Sequence, residues 1–251
     1  MKSVEIYHKK VQNCLDAILE NEQENIARAA DLLVEAVKKD RLIHVIGTGG
    51  HSSMAAEEML CRAGGLVPVN PLLEQGYNLA HGAFRSSMVE RLPGYAKSLL
   101  EYYQVEKDAV LIVVNSYGIN SLTIDTVIEA KKIGAKVIAV TSPESSRAVP
   151  KNHPARHPSK QNLCRLDIDV LIDCRMPAGD AVVEFRNYKQ KIAPVSTILN
   201  SFVLNSLVAC TVEKLLAQNI EPPVWEDANL SSENRTNAKY WEEYFDKIKH
   251  L

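Results

Sequence analysis

Residues 109–114 read AVLIVV, six positions without a polar side chain. A strand wet on one face alternates apolar and polar residues, whereas a strand buried on both faces reads as a continuous apolar run. Further apolar-centred segments are LIHVI (42–46), LVPVN (66–70), KVIAVTS (136–142) and DVLIDC (169–174). Helical patterns separate them. One runs from about Ser52 to Ala63, with Gly64 and Gly65 as its stop, and another is LTIDTVIEAKKIG, closed by Gly134. Strands alternating with helices imply a parallel sheet covered on both faces, linked by right-handed crossovers. Ligands of such sheets sit at the carboxyl ends of the strands, where the strand order reverses.

The flanks are helical. Leu15, Ile18, Leu19, Ile26, Ala30, Leu33, Val34 and Val37 recur at three- and four-residue steps, which predicts an N-terminal helical hairpin broken near Asn21. STILNSFVLNSLVACTVEKLLAQ predicts a long apolar helix, and VVEFRNY a short edge strand. PESSRAVPKNHPARHPSKQNLCRL reads as a long polar loop with a basic cluster at His153, Arg156, His157 and Lys160. The expected organisation is a helical arm over 1–40, a ligand-binding domain over 41–220 and a helical tail over 221–251 that belongs to the same domain. The arm and residues 240–251 are candidate surfaces for self-association, and at least one of Trp225 and Trp241 is expected in the core.

With 251 residues, 46% of them hydrophobic, the chain can build one full α/β core. A net charge of −2 argues against nucleic acid or a membrane surface as partner. No run of about 18 apolar residues suggests a membrane span. The five cysteines are scattered and never form C-x-x-C. Together with a charged N-terminus that lacks an apolar signal stretch, this fits reduced thiols and a cytoplasmic location.

Two polar turns each follow a buried strand and open a helix. The first is Gly47-Thr48-Gly49-Gly50-His51-Ser52-Ser53 and the second is Asn115-Ser116-Tyr117-Gly118-Ile119-Asn120-Ser121. Helix N-termini carry unpaired N–H groups and about half a positive charge, which suits phosphate. Ser52 and Asn120 or Ser121 can equally be simple N-caps, as can Ser196 or Thr197 before the last long helix. A dinucleotide fingerprint fails, because Ser52 stands where the third glycine is needed and the second strand ends without an acid. A nucleotide P-loop fails as well, since no G-K-[ST] follows the glycines. A small phosphorylated molecule fits better.

These turns resemble the sugar isomerase (SIS) domain, in particular its phosphoheptose isomerase branch. That family has Gly-Asn-Gly-Gly-Ser after the first strand, where this chain has Gly47-Thr48-Gly49-Gly50-His51. Its second turn, Ser-Thr-Ser-Gly-Asn-Ser, leads into KG-x-KVI-x-LT, as NSYGINS here leads into EAKKIGAKVIAVTS. The resemblance spans about residues 20–217. It implies a three-layer αβα, doubly wound, five-stranded parallel sheet of the flavodoxin-like SIS fold, with an N-terminal helical arm. It also implies a homodimer or homotetramer that binds a sugar phosphate. Ser116, Asn120 and Ser121 would hold the phosphate. Thr48, His51, Ser52 and Ser196 or Thr197 would face the sugar, with Gly49, Gly50, Ser53 and Asn115 completing the substrate shell.

The catalytic positions depart from the family. Its metal-assisted members place His and Glu four apart on the helix after the first turn. Glu57 and Cys61 stand there, and no His lies between residues 158 and 249 to supply the ligand of the last helix. Glu57 with Cys61, four apart on one helix face, could still contact a metal, but no metal and no other cofactor are expected. Aldose–ketose isomerisation through an enediol needs a base that moves a proton between adjacent carbons. The candidates are Glu57 and Glu58, with His81 assisting from the long connection after the second strand, which also carries Arg85 and Glu90. The alternatives are a non-catalytic sugar-phosphate sensor or a related sugar-phosphate lyase or etherase.

Overall fold

A computed structural model describes residues 2–230 and 235–251. The elements run α1 (Lys2–Asn21), α2 (Gln23–Lys38), β1 (Ile43–Gly47), α3 (Ser53–Met59), β2 (Val69–Pro71), α4 (Ala83–Val89), α5 (Tyr95–Tyr102), β3 (Val110–Val114), α6 (Ser121–Ile133), β4 (Lys136–Thr141), α7 (Pro143–Ala148), β5 (Val170–Asp173), β6 (Ala181–Phe185), β7 (Tyr188–Pro194), α8 (Ser196–Ala217) and α9 (Arg235–Tyr244). Strands β1 to β5 form one parallel sheet in the order 2-1-3-4-5. β1 and β3 are neighbours at the point where the order reverses, with Gly47 opposite Val114.

The continuous apolar run is explained by the two faces of β3. Val110, Ile112 and Val114 pack with Leu33 of α2 and Leu199, Val203 and Leu207 of α8. Leu111 and Val113 pack with Leu99 and Leu100 of α5 and Leu122, Val127 and Ala130 of α6. By length and composition α8 could cross a membrane. Its Leu199, Val203, Leu204 and Leu207 are fully buried in the protein instead.

The two arm helices break at Glu22, beside Asn21 as the periodicity suggests. Glu22 is buried, and its carboxylate does long-range work. It accepts hydrogen bonds from the Asn25 amide (2.9 Å) and the Asp173 backbone N–H (3.2 Å), and it pairs with the Arg175 guanidinium. Arg175 sits at φ +53°, a strained left-handed position for a side chain of this size. The break in the arm thus fixes the chain where it leaves β5.

Several local expectations are corrected. The first-turn helix ends at Met59, not Ala63, because Leu60 is extended and Cys61 takes φ +45°. Cys61 therefore leaves the face that would set it four residues from Glu57, and that pairing dissolves. LVPVN contributes only Val69 and Asn70 to β2. Leu66 instead makes an antiparallel bridge to Val224. The long polar loop contains α7, capped by the Ser142 side chain on the Ser145 N–H. The edge-strand segment folds into a separate antiparallel hairpin, β6–β7, outside the main sheet. Trp225 is core and Trp241 is 41% exposed, and Tyr244 and Ile248 of the tail pack beside Trp225.

Candidate functional site

A cavity of about 710 Å³ opens at the carboxyl ends of β1 and β3. This is where a doubly wound sheet places its ligand. The two turns meet there through one atom. The Thr48 carbonyl accepts from Asn115 Nδ2 at 2.7 Å and from Asn120 Nδ2 at 3.0 Å. Asn115 Oδ1 accepts the Gly118 N–H at 2.8 Å, and Asn120 Oδ1 accepts the Thr123 N–H at 2.8 Å. Both asparagines are thus turn-builders, and Asn120 is the N-cap of α6. The cap leaves the N–H groups of Ile119, Asn120 and Ser121 without a protein acceptor among the described residues.

Of the residues predicted from sequence, Gly49, Gly50, His51, Ser52, Asn115, Ser116, Asn120 and Ser196 line the cavity. Ser116 shares its hydroxyl with Asn200, whose Nδ2 donates at 3.1 Å. Thr48, Ser53, Ser121 and Thr197 do not form its wall. Thr48 is buried beneath the turn with its hydroxyl 2.6 Å from that of Thr123. Ser53 donates to the Gly50 carbonyl at 2.7 Å, and Ser121 is buried.

The three catalytic candidates also lie outside the cavity wall. α3 is only seven residues long and buries Ala55, Ala56 and Met59, so its two glutamates project elsewhere. Glu57 accepts from Asn78 Nδ2 at 3.0 Å and braces the following connection. Glu58 accepts from Asn205 Nδ2 at 3.0 Å and pairs with Arg62 at 3.3 Å. His81 is exposed at the end of a short 3₁₀ turn. Of the basic cluster only His153 reaches the wall. Arg156 folds back onto the Pro150, Ser146 and Val149 carbonyls, and His157 faces Asp125 at 3.1 Å.

Two carboxyls that the motifs do not mark enter the cavity. Asp180 precedes the hairpin and returns to cap α8, accepting from Val195 N–H (2.9 Å), Ser196 N–H (2.7 Å) and Ser196 Oγ (2.8 Å). Nothing in the sequence around it signals a cap sixteen residues ahead. Asp180→Ala is expected to cost about 1–2 kcal/mol in a denaturant titration, as loss of a helix cap does. Unchanged stability would show that α8 does not depend on it.

Glu90 stands at the C-terminus of α4. Its carbonyl accepts the Leu122 N–H of α6 at 2.9 Å, and its carboxylate lies against the glycine turn: a Cβ on Gly49 would come within 2.7 Å of Oε2. Burial pushes this carboxyl up to about 6, against the opposing pull of Arg91 and the Gly50 N–H. A carboxyl raised in the folded state favours the fold while protonated. That contribution is complete below the unfolded value of about 4.3 and is lost as pH rises through about 6. Glu90→Gln should abolish this slope and stabilise the protein at pH 7 by about 1 kcal/mol, after allowance for solvent screening. Parallel stability curves from pH 4 to 7 for the native protein and the variant would refute the burial argument.

The fold and cavity define a doubly wound α/β protein with an open cleft at its switch point. The profile of the SIS domain matches residues 6–142, and the chain belongs to the SIS-domain family. A UPF0309 protein from Geobacillus thermodenitrificans is 34% identical over 245 residues, covering 98% of this chain and 96% of its own length. Another from Brucella anthropi is 38% identical over 228 residues, covering 91% and 90%. The fold is shared with phosphoheptose isomerase GmhA from Neisseria gonorrhoeae, with a TM-score of 0.56 at 14% identity over 84% of this chain and 98% of that one. It is also shared with a phosphoheptose isomerase from Francisella tularensis, with a TM-score of 0.53 at 14% identity over 86% and 97%.

Proposed function

We propose that the protein binds a phosphorylated sugar in this cavity and interconverts its aldose and ketose forms. The observation that carries the reading is the set of open N–H groups at the start of α6, on a helix thirteen residues long that begins beside the glycine turn. Main-chain amides and the helix dipole can hold a dianionic monoester without a lysine or arginine, and the cavity wall has neither. Gly49, Gly50 and Ser52 then bring backbone and a hydroxyl to the sugar. The same reading places the protein in the cytoplasm, with its thiols reduced, as a homodimer or homotetramer. The exposed Phe84 and Met88, four apart on α4, with Leu92 beyond, supply apolar surface for such an assembly.

Ser121→Pro tests whether the phosphate also reaches the amide behind the wall, next to Ile119 and Asn120, which line it. Residue 121 is the first helical position, where proline is well accepted, and Asn120 already has φ −76° and ψ 165°, as a residue before proline requires. The substitution removes one N–H that has no protein partner among the described residues. Calorimetry should show a roughly tenfold or greater loss of sugar-phosphate affinity, as expected for a hydrogen bond to a charged group, with the melting temperature held. Unchanged affinity would show that the Ser121 N–H takes no part in holding the phosphate.

A second reading, binding without turnover, is favoured by the placement of Glu57, Glu58 and His81 away from the wall. Exchange of the carbon-2 proton in deuterated water separates the two. Exchange supports the isomerase, and tight binding without exchange supports a sensor.

A further inference from the structure

We propose that Glu90 is the catalytic acid–base of this cavity, shuttling a proton between carbons 1 and 2 of the bound sugar phosphate. The assignment rests on the isomerase reading above and deepens it.

The wall carries two carboxyls, Glu90 and Asp180. Asp180 already accepts three hydrogen bonds from the start of α8, so its lone pairs are committed to the fold. Apart from the Gly50 N–H, nothing donates to the Glu90 carboxylate among the described residues, so a lone pair stays open to the cavity. Two connections hold it between the turns. Its backbone carbonyl plugs into α6 through the Leu122 N–H, the helix that opens with the proposed phosphate site. Its carboxylate rests on Gly49 of the other turn, where only a glycine leaves it room.

α4 is itself fixed. The Glu90 N–H donates to the Ser86 carbonyl at 3.0 Å, the Ser86 hydroxyl donates to the Tyr77 carbonyl at 2.6 Å, and just beyond the helix the Gly94 N–H donates to Asp125 at 2.7 Å. A base must be held in place and have a free lone pair, and Glu90 meets both conditions. Its partial desolvation brings the carboxyl closer to the working pH, which favours proton transfer in both directions.

The chemistry balances without a further reactant. The Glu90 carboxylate takes the proton from carbon 2 of the open-chain aldose. The C2–H electron pair becomes the C1=C2 bond, and the carbonyl pair moves to O1, which takes a proton from water. In the second half the O2 hydroxyl returns a proton to water and its pair forms the C2=O2 bond. The C1=C2 pair then recovers the proton from Glu90 at carbon 1, leaving ketose and carboxylate.

The test uses the whole chain with ribose 5-phosphate, glucose 6-phosphate and a heptose 7-phosphate. Carbon-2 exchange is followed by proton NMR and binding by calorimetry. Glu90→Gln should cut exchange at least ~100-fold while affinity stays within about threefold. Glu90→Asp, which keeps the carboxylate but withdraws it by one methylene, should retain measurable exchange between the two. Exchange in Glu90→Gln equal to that of the native protein overturns the assignment of Glu90 and leaves the isomerase reading standing. Native protein that binds these sugars and exchanges none of them overturns both. If Glu90→Gln fails to fold, Glu90→Asp with exchange and affinity both native also overturns the assignment.

Discussion

Gly47→Ala is expected to lose about 3 kcal/mol or more of stability, and with it the first turn. A Cβ built on Gly47 would stand 1.7 Å from the Ser52 carbonyl oxygen and 2.6 Å from the Ser53 nitrogen. Both are backbone, so no side chain can rotate away. The requirement is one of space, because the turn doubles back over the end of β1. Relief would have to come from moving α3 or from pulling Gly47 away from Val114, which would cost the Thr48 N–H bond to the Val114 carbonyl. In thermal denaturation followed by circular dichroism, the midpoint should fall by roughly 10 °C for a chain of this size. A midpoint within about 2 °C of the native value would mean that the turn is less closely folded than described.

Trp225→Ala is expected to cost about 3–5 kcal/mol, whereas Trp225→Phe should cost below about 1.5. The indole is buried against Tyr240 and Trp241, with centroids 5.8 Å and 5.4 Å away, and its backbone exchanges hydrogen bonds with Gly64 and Gly65. Alanine would leave a void at the centre of the small core that joins the tail to Val67, Leu42 and Leu60. Phenylalanine keeps most of the ring and gives up only an Nε1–H that is buried with no partner among the described residues. Urea titration measures both variants, and limited proteolysis should cut the tail of the alanine variant first. Equal costs for the two would show that volume is not what the site demands.

The parallel sheet was legible because its strands are buried on both faces and say so without alternation, as at Val110–Val114. The helices over 2–38, 121–133 and 196–217 were legible from periodicity and from Gly134 at φ +90°. The hairpin β6–β7 was not, because Arg186 and Asn187 give only a weak turn signal and the exposed strand β7 carries no apolar face to read. α7 hid in a serine-rich stretch only six residues long. Nine of the twenty-four residues of the candidate wall lie in the two turns, since a polar turn after a buried strand has only one place to go. Glu57 and Glu58 were read on a helix out to Ala63, and α3 stops at Met59 with both outside the cavity wall. Glu90 looked like any charge in a long connection. Only the docking of α4 onto both turns gives it a position, and no local pattern encodes a contact across 32 residues, from Glu90 to Leu122.

The carboxylate at the elbow of the helical arm has a consequence beyond folding. Glu22 steadies the segment that continues into Met176 and Asp180, both of which face the cavity. The opening helices are therefore a strut for the proposed ligand chamber. An injury at this elbow would register as a slackened grip on the ligand, some 150 positions downstream in the chain.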